Sequence, residues 1–144
     1  MTAAEYRTLR EACGLSQRDA AVFHDVSLRT IGHWETGRNN VPAGAAEEMR
    51  GLNDAIERGV ENMLTLVDEL AGQHGAPDAV ALTRYRTAGD YAGSRPDREG
   101  LPYPCHNALI GRAMLALRRL GRNAVVSWHS AQPGGGRSDV APPG

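Results

Sequence analysis

Apolar residues recur along most of this 144-residue chain at steps of three and four, the spacing of a buried helical stripe. Residues 2–13 begin with Thr2 and, three positions on, Glu5, a capping-box pattern, and Tyr6, Leu9 and Cys13 then share one face. Gly14 is the expected stop. A second helix starts at Ser16, with Asp19 as capping partner and Ala20, Ala21 and Phe23 as its apolar face, and ends near His24 and Asp25. Ser27 caps a third. In it Thr30, Ile31 and Trp34 alternate with outward Leu28, Arg29, Gly32 and His33, and Gly37 closes it. The result is helix, short turn, helix, with small Ala21 allowing close approach. From Pro42 to residue 72 a single stripe runs through Met49, Leu52, Ile56, Val60, Met63, Val67 and Leu70. Gly51 and Gly59 each weaken it by about 1 kcal/mol relative to Ala, so a bend or break is expected near 51–59. The stripe is longer than a small head domain can cover, and its second half reads as a dimer or interdomain seam.

The pattern changes after a linker at 72–77, GQHGAP. Residues 79–87 alternate, with Val80, Leu82, Arg84 and Arg86 on one parity, and predict a strand. Residues 88–104 are punctuated by Gly and Pro, with a short helix expected around Asp90 and Tyr91. Residues 107–120 predict a helix whose face is Leu109, Ile110, Ala113, Met114, Leu117 and Leu120, stopped by Gly121. Residues 123–130 predict a last strand, giving a small α+β appendage that exposes sheet edges unless a second copy pairs with it. Residues 131–144, AQPGGGRSDVAPPG, predict a disordered tail.

Composition narrows the function. Hydrophobic residues make up 41% and charged residues 23%, an ordinary globular mix, and the formal net charge is −1. No run approaches the roughly 18 apolar residues that span a bilayer, and the amphipathic N-terminus is not a signal peptide, so a soluble cytoplasmic protein is expected. All 16 basic residues are Arg. GC-rich codon usage accounts for the missing lysine. Every cation is nonetheless a planar fork suited to phosphates and guanine edges. Net charge does not advertise nucleic-acid binding, so that case rests on local geometry. Cys13 and Cys105 form no CxxC pair and read as free thiols, and His24, His33, His74, His106 and His129 lack metal-ligand spacing. Cys105 and His106, adjacent in sequence, have no third residue to orient them. No paired carboxylates, phosphate loop or metal constellation appears, so neither an enzyme nor a cofactor is expected.

The segment LSQRDAAVFHDVSLRTIGHWETGR, through Leu15-Ser16-Gln17, Ala21, Val26-Ser27, Thr30-Ile31 and Trp34-Glu35 with Gly37-Arg38, resembles the lambda-repressor-like (Xre-type) helix-turn-helix regulators. More narrowly, HWETGRNNVPAGAAEEMRGL together with the PCHNALIGRAMLALRRLG helix resembles the YdiL-like and anti-CRISPR-associated repressors. The resemblance implies a mainly α fold: a helix-turn-helix bundle at 1–57, a linking helix and linker at 58–76, a small α+β dimerisation domain at 77–130 and a tail at 131–144. It also implies a homodimeric repressor on an inverted-repeat operator in double-stranded DNA, controlling its own operon. Two positions depart from the pattern. His24 replaces a usual aliphatic residue and is expected to be partly exposed, and Asp25 replaces a common turn Gly but tolerates left-handed angles.

A recognition helix enters the major groove by its N-terminal end, so Ser27, Leu28, Arg29, Gly32 and His33 are the candidate base-contact residues. Arg29 is suited to a bidentate bond with guanine, and Leu28 to a thymine methyl. Gln17 matches the family's phosphate-contact position, and Arg18, Arg38, Asn39 and Asn40 are further phosphate candidates. Trp34 reads as core, and Glu35 as structural, holding the loop or an Arg. Arg84, Arg86, Arg118, Arg119 and Arg122 read either as solvated and helix-capping charge or as a second contact for nucleic acid or a protein. Three rivals stay open: an antitoxin with a partner-binding C-terminal half, a ligand sensor with a pocket near Tyr85, Tyr91, Tyr103 and Trp128, and an RNA binder.

Overall fold

The computed structural model describes residues 1–94 and 100–130. The expected tail lies outside them. The described chain is mainly helical: α1 (Ala3–Ala12), α2 (Gln17–His24), α3 (Leu28–Glu35), α4 (Ala43–His74), β1 (Val80–Arg84), α5 (Ala88–Ser94), α6 (Tyr103–Arg119) and β2 (Ala124–Trp128).

The first three helices start where the sequence places their caps. Thr2 and Glu5 close a reciprocal capping box on α1, and Ser16 and Asp19 close another on α2. Gly14 leaves α1 with φ +79 and packs tightly, since a Cβ there would sit 2.7 Å from the Pro104 carbonyl oxygen. Side-chain substitution at Gly14 is therefore blocked by both conformation and space.

The long helix departs from expectation. No break occurs near 51–59: α4 is continuous over 32 residues and takes in the first three residues of the expected linker. Its cause lies in α6, which packs along α4. A Cβ on Gly59 would come 2.3 Å from Leu109 Cδ1, so the missing side chain is the space that Leu109 occupies. Packing here overrides the weak helix propensity of Gly. Gly51 meets nothing within 4 Å.

Helix α6 begins four residues earlier than expected, after Pro102, with Pro104 in its first turn, where a missing N–H removes no helical bond. The strands pair in parallel, Val80 with Ala124 through to Arg84 with Trp128, with α5 and α6 between them in sequence. Leu82 and Ala124 turn their inner face toward α6. A single apolar core runs from Tyr6, Ile31 and Met49 through Ile56 and Val60 to Leu109, Leu117 and Ala124. Arg112 fastens α6 to the rest, donating to the Ala12 carbonyl at 2.6 Å and to Asn53 Oδ1 at 3.0 Å and pairing with Glu57. The second half of α4 is thus a seam within one chain as far as Val67, with Leu66 and Leu70 left exposed.

Tyr85, Tyr91, Tyr103 and His106 do not surround a vacant space but pack on one another, with ring centroids 5.0–5.8 Å apart. The Tyr91 and Tyr103 hydroxyls donate to the Leu101 and Tyr85 carbonyls, each at 2.6 Å. Among the described residues no helix is long and apolar enough to cross a membrane.

Candidate nucleic-acid interface

Between α2 and α3 the chain reverses in three residues. Asp25 adopts φ +53 and ψ +49, the left-handed conformation that ends α2, and the Val26 amide donates back to the Ala21 carbonyl at 2.9 Å. Among the described non-glycine residues Asp25 alone has positive φ. Ser27 then caps α3, its Oγ accepting from the Thr30 amide at 3.1 Å and lying 2.9 Å from the Thr30 hydroxyl. The Ser27 hydroxyl is therefore occupied in holding the helix start.

Helix α3 is anchored by its inner face. Ile31 is fully buried and Trp34 is nearly so, its ring meeting Tyr6 edge-on at 5.6 Å. His24 is half-buried as a residue, in line with the expected partial exposure, but its imidazole is turned inside. Its side chain is only 1% exposed, stacked at 4.9–5.8 Å among Phe23, Trp34 and Tyr6, with Nδ1 2.5 Å from Glu48 on α4. Glu48 meets one polar edge of the imidazole, while Nε2 is buried with no hydrogen-bond partner among the described residues. Burial pushes the Tyr6 phenol up to about 12.

The end of α3 is held by charge. Arg10, buried on α1, forks onto Glu35 and also donates to the Leu15 carbonyl at 2.6 Å. Gln17 donates to the same carboxylate at 2.8 Å. Burial raises the Glu35 pKa, but the bonds from Arg10 and Gln17 and the Arg10 charge outweigh it, and the net value is lowered. The carboxylate is turned inward and neutralised, which keeps its charge away from an anionic partner. Arg10 is the residue that sequence reasoning missed. The signal was the expectation that Glu35 holds the loop or an arginine, which named no arginine.

What remains outward on α3 is Leu28 at 48% exposure, Arg29, and the partly covered Gly32 and His33. Arg29 Nε lies 3.5 Å from His33 Nε2, so the two polar residues lie side by side one turn apart. A Cβ on Gly32 would meet nothing within 4 Å, which leaves an open notch between them. The first turn of α3 contains no acidic residue, so its unpaired amides present partial positive charge. Arg18, Arg38, Asn39 and Asn40 are all exposed, and the Asn39 amide closes the loop after α3 onto the His33 carbonyl at 3.1 Å. Gln17 is exposed too, though its amide nitrogen is engaged by Glu35. The two predicted sets thus lie on α3, at the start of α2 and on the loop after α3.

No group of three His, Cys, Asp or Glu that could hold a metal occurs among the described residues. Cys13 and Cys105 are free and fully buried, and burial raises both thiols, Cys105 to about 12.

Residues 3–50 match the family model of a helix-turn-helix domain. A search among curated proteins finds no match to the chain. The N-terminal third is thus a helix-turn-helix domain, the module of DNA-binding regulators.

Proposed function

We propose that this protein is a transcriptional repressor that binds an inverted-repeat operator in double-stranded DNA as a homodimer. The observation that carries the reading is the division of α3: Ile31, Trp34 and Glu35 hold it from inside, while Leu28, Arg29, Gly32 and His33 stay available outside. An α-helix held in this way enters the major groove by its N-terminal end, where Arg29 reads guanine and His33 meets a base or a phosphate. Arg18, Arg38, Asn39 and Asn40 set the register through phosphates, with the amides at the start of α2 assisting near Gln17.

Two copies of α3 then lie in successive major grooves, about 34 Å apart. Exposed Leu66 and Leu70, one turn apart on α4, and the open edges of the two-stranded sheet supply apolar and backbone surface for the dimer. Control of its own operon, of an anti-CRISPR or phage type, rests on the resemblance of the α3–α4 segment and α6. The chain works without catalysis or cofactor in this reading, from the cytoplasm.

Mobility shift and footprinting on the DNA upstream of the protein's own gene, across a salt series, test the proposal. A protected inverted repeat bound at nanomolar protein, with steep salt dependence, is expected. Weak binding indifferent to sequence would overturn it.

A further inference from the structure

The arginines of the small sheet and its helix divide by what they hold. Arg118 donates to the Ala124 carbonyl at 3.1 Å, and Arg122 pairs with Asp68 on α4 at 3.0 Å, so both are tied into the fold. Arg84 and Arg86 are different. Both are exposed, and their guanidinium carbons lie 5.7 and 4.7 Å from the centroid of the Trp128 ring. No ion pair to a carboxylate engages either of them among the described residues. Arg84 and Trp128 are register partners at the end of the sheet, beyond the last core residues.

The position of this plate suggests its partner. Arg84 shares an open groove of about 320 Å³ with Gly14, Pro104 and Asn107. Gly14 lies two residues before Ser16, the cap of α2, and three before Gln17. The groove therefore joins the sheet end to the edge of the head where the phosphate contacts begin. Helix α6 also starts there, with no acidic residue in its first turn. The Trp128 ring is engaged by guanidinium groups, which suits it to ordering cations rather than receiving an unstacked base. Stacked guanidiniums keep their N–H edges outward for bidentate bonding to phosphate.

We propose that Arg84 and Arg86, ordered on Trp128, form a second phosphate contact that holds duplex DNA flanking the half-site read by α3. The inference rests on the DNA-binding reading above and extends the interface from the head onto the sheet.

The test uses the full chain and its footprinted operator in two duplexes, one trimmed to the inverted repeat and one carrying native flanks. With Arg84→Ala/Arg86→Ala, the slope of log affinity against log salt on the flanked duplex is expected to fall by about 0.9 for each phosphate that is no longer neutralised. On the trimmed duplex the variant matches the parent. Arg84→Lys/Arg86→Lys keeps most of the slope. Arg86→Glu alone, outside both strands, weakens flanked-duplex binding several-fold and gives a second reading should the double variant fold poorly. A parent that binds the operator while the alanine and glutamate variants equal it on the flanked duplex overturns this inference alone, and leaves the plate to another partner, such as an acidic protein. A parent that binds no DNA overturns the function above and this inference with it.

Discussion

Arg10 and Glu35 meet as a fork, Nε and Nη2 of the guanidinium donating to the two carboxylate oxygens, and so tie the first helix to the end of the third. Both side chains are under a tenth exposed. Removing Arg10 leaves the covered Glu35 carboxylate without its counter-charge, held by Gln17 alone. Arg10→Ala is expected to lower stability by about 3–5 kcal/mol in urea titrations and to weaken operator binding as α3 loosens. Arg7→Ala, which breaks only the exposed Arg7–Glu11 pair, is expected to leave the unfolding midpoint nearly unchanged.

The same pair sets an acid dependence. Although burial acts to raise it, the Glu35 pKa is lowered in the folded chain by Arg10 and Gln17. A depressed carboxylate favours the folded state at pH above its unfolded value and loses that contribution as pH falls toward the folded value. Thermal melts should therefore show stability decreasing below about pH 4.5, the ordinary Glu range. Glu35→Gln, less stable at neutral pH, should lose less over the same interval. Parallel acid limbs for parent and variant would refute the assignment.

Arg29→Ala is expected to relax discrimination at the base pair it reads, at a cost of about 1–3 kcal/mol for the missing guanine bonds, with no change in melting temperature. Arg29 is exposed and its nearest polar neighbour is His33, so folding does not depend on it. Full operator affinity in this variant would remove α3 as the reading helix.

The two glycines of α4 should respond in opposite directions. Gly51→Ala fills open space in a helix and is expected to stabilise by about 0.5–1 kcal/mol. Gly59→Ala drives a methyl into Leu109, itself 3% exposed, and is expected to destabilise by about 1 kcal/mol or more. Urea denaturation of both variants checks the pair. Stabilisation at Gly59 would show that Leu109 yields freely.

The dimer is best tested by charge. A chain cut after residue 71 would lose α6 and uncover the core face of α4 along with any dimer surface. Leu66→Glu/Leu70→Glu alters only exposed positions. It is expected to yield a folded monomer by light scattering, with operator affinity reduced at least about tenfold through loss of the second half-site. An unchanged dimer would move the interface to the sheet edges.

The parts legible in the sequence are those fixed by neighbours in the chain. Thr2 with Glu5 and Ser16 with Asp19 mark helix starts by local hydrogen bonds, and Asp25 announces a left-handed turn by its own backbone tolerance. The outward positions of α3 follow from period alone once Ile31 and Trp34 are assigned inward. What was not legible depends on distant partners. The continuity of α4 past Gly59 depends on Leu109, fifty residues away. The burial of the His24 ring depends on Glu48 and three aromatic rings, and the parallel pairing of β1 with β2 depends on the path of α6. Among the arginines that the sequence left open between structure and contact, only the fold separates Arg118 and Arg122, which hold structure, from Arg84 and Arg86, which do not.

Because α6 completes the core beneath α4, with Arg112 reaching Ala12, Asn53 and Glu57, the helix-turn-helix head is not a detachable cassette. Residues 1–57 grafted onto a foreign body would arrive with Cys13 and Ile56 stripped of part of their cover. Recombination that exchanges operator specificity between such proteins must therefore swap the few outward residues of α3, or else carry α6 along with the head.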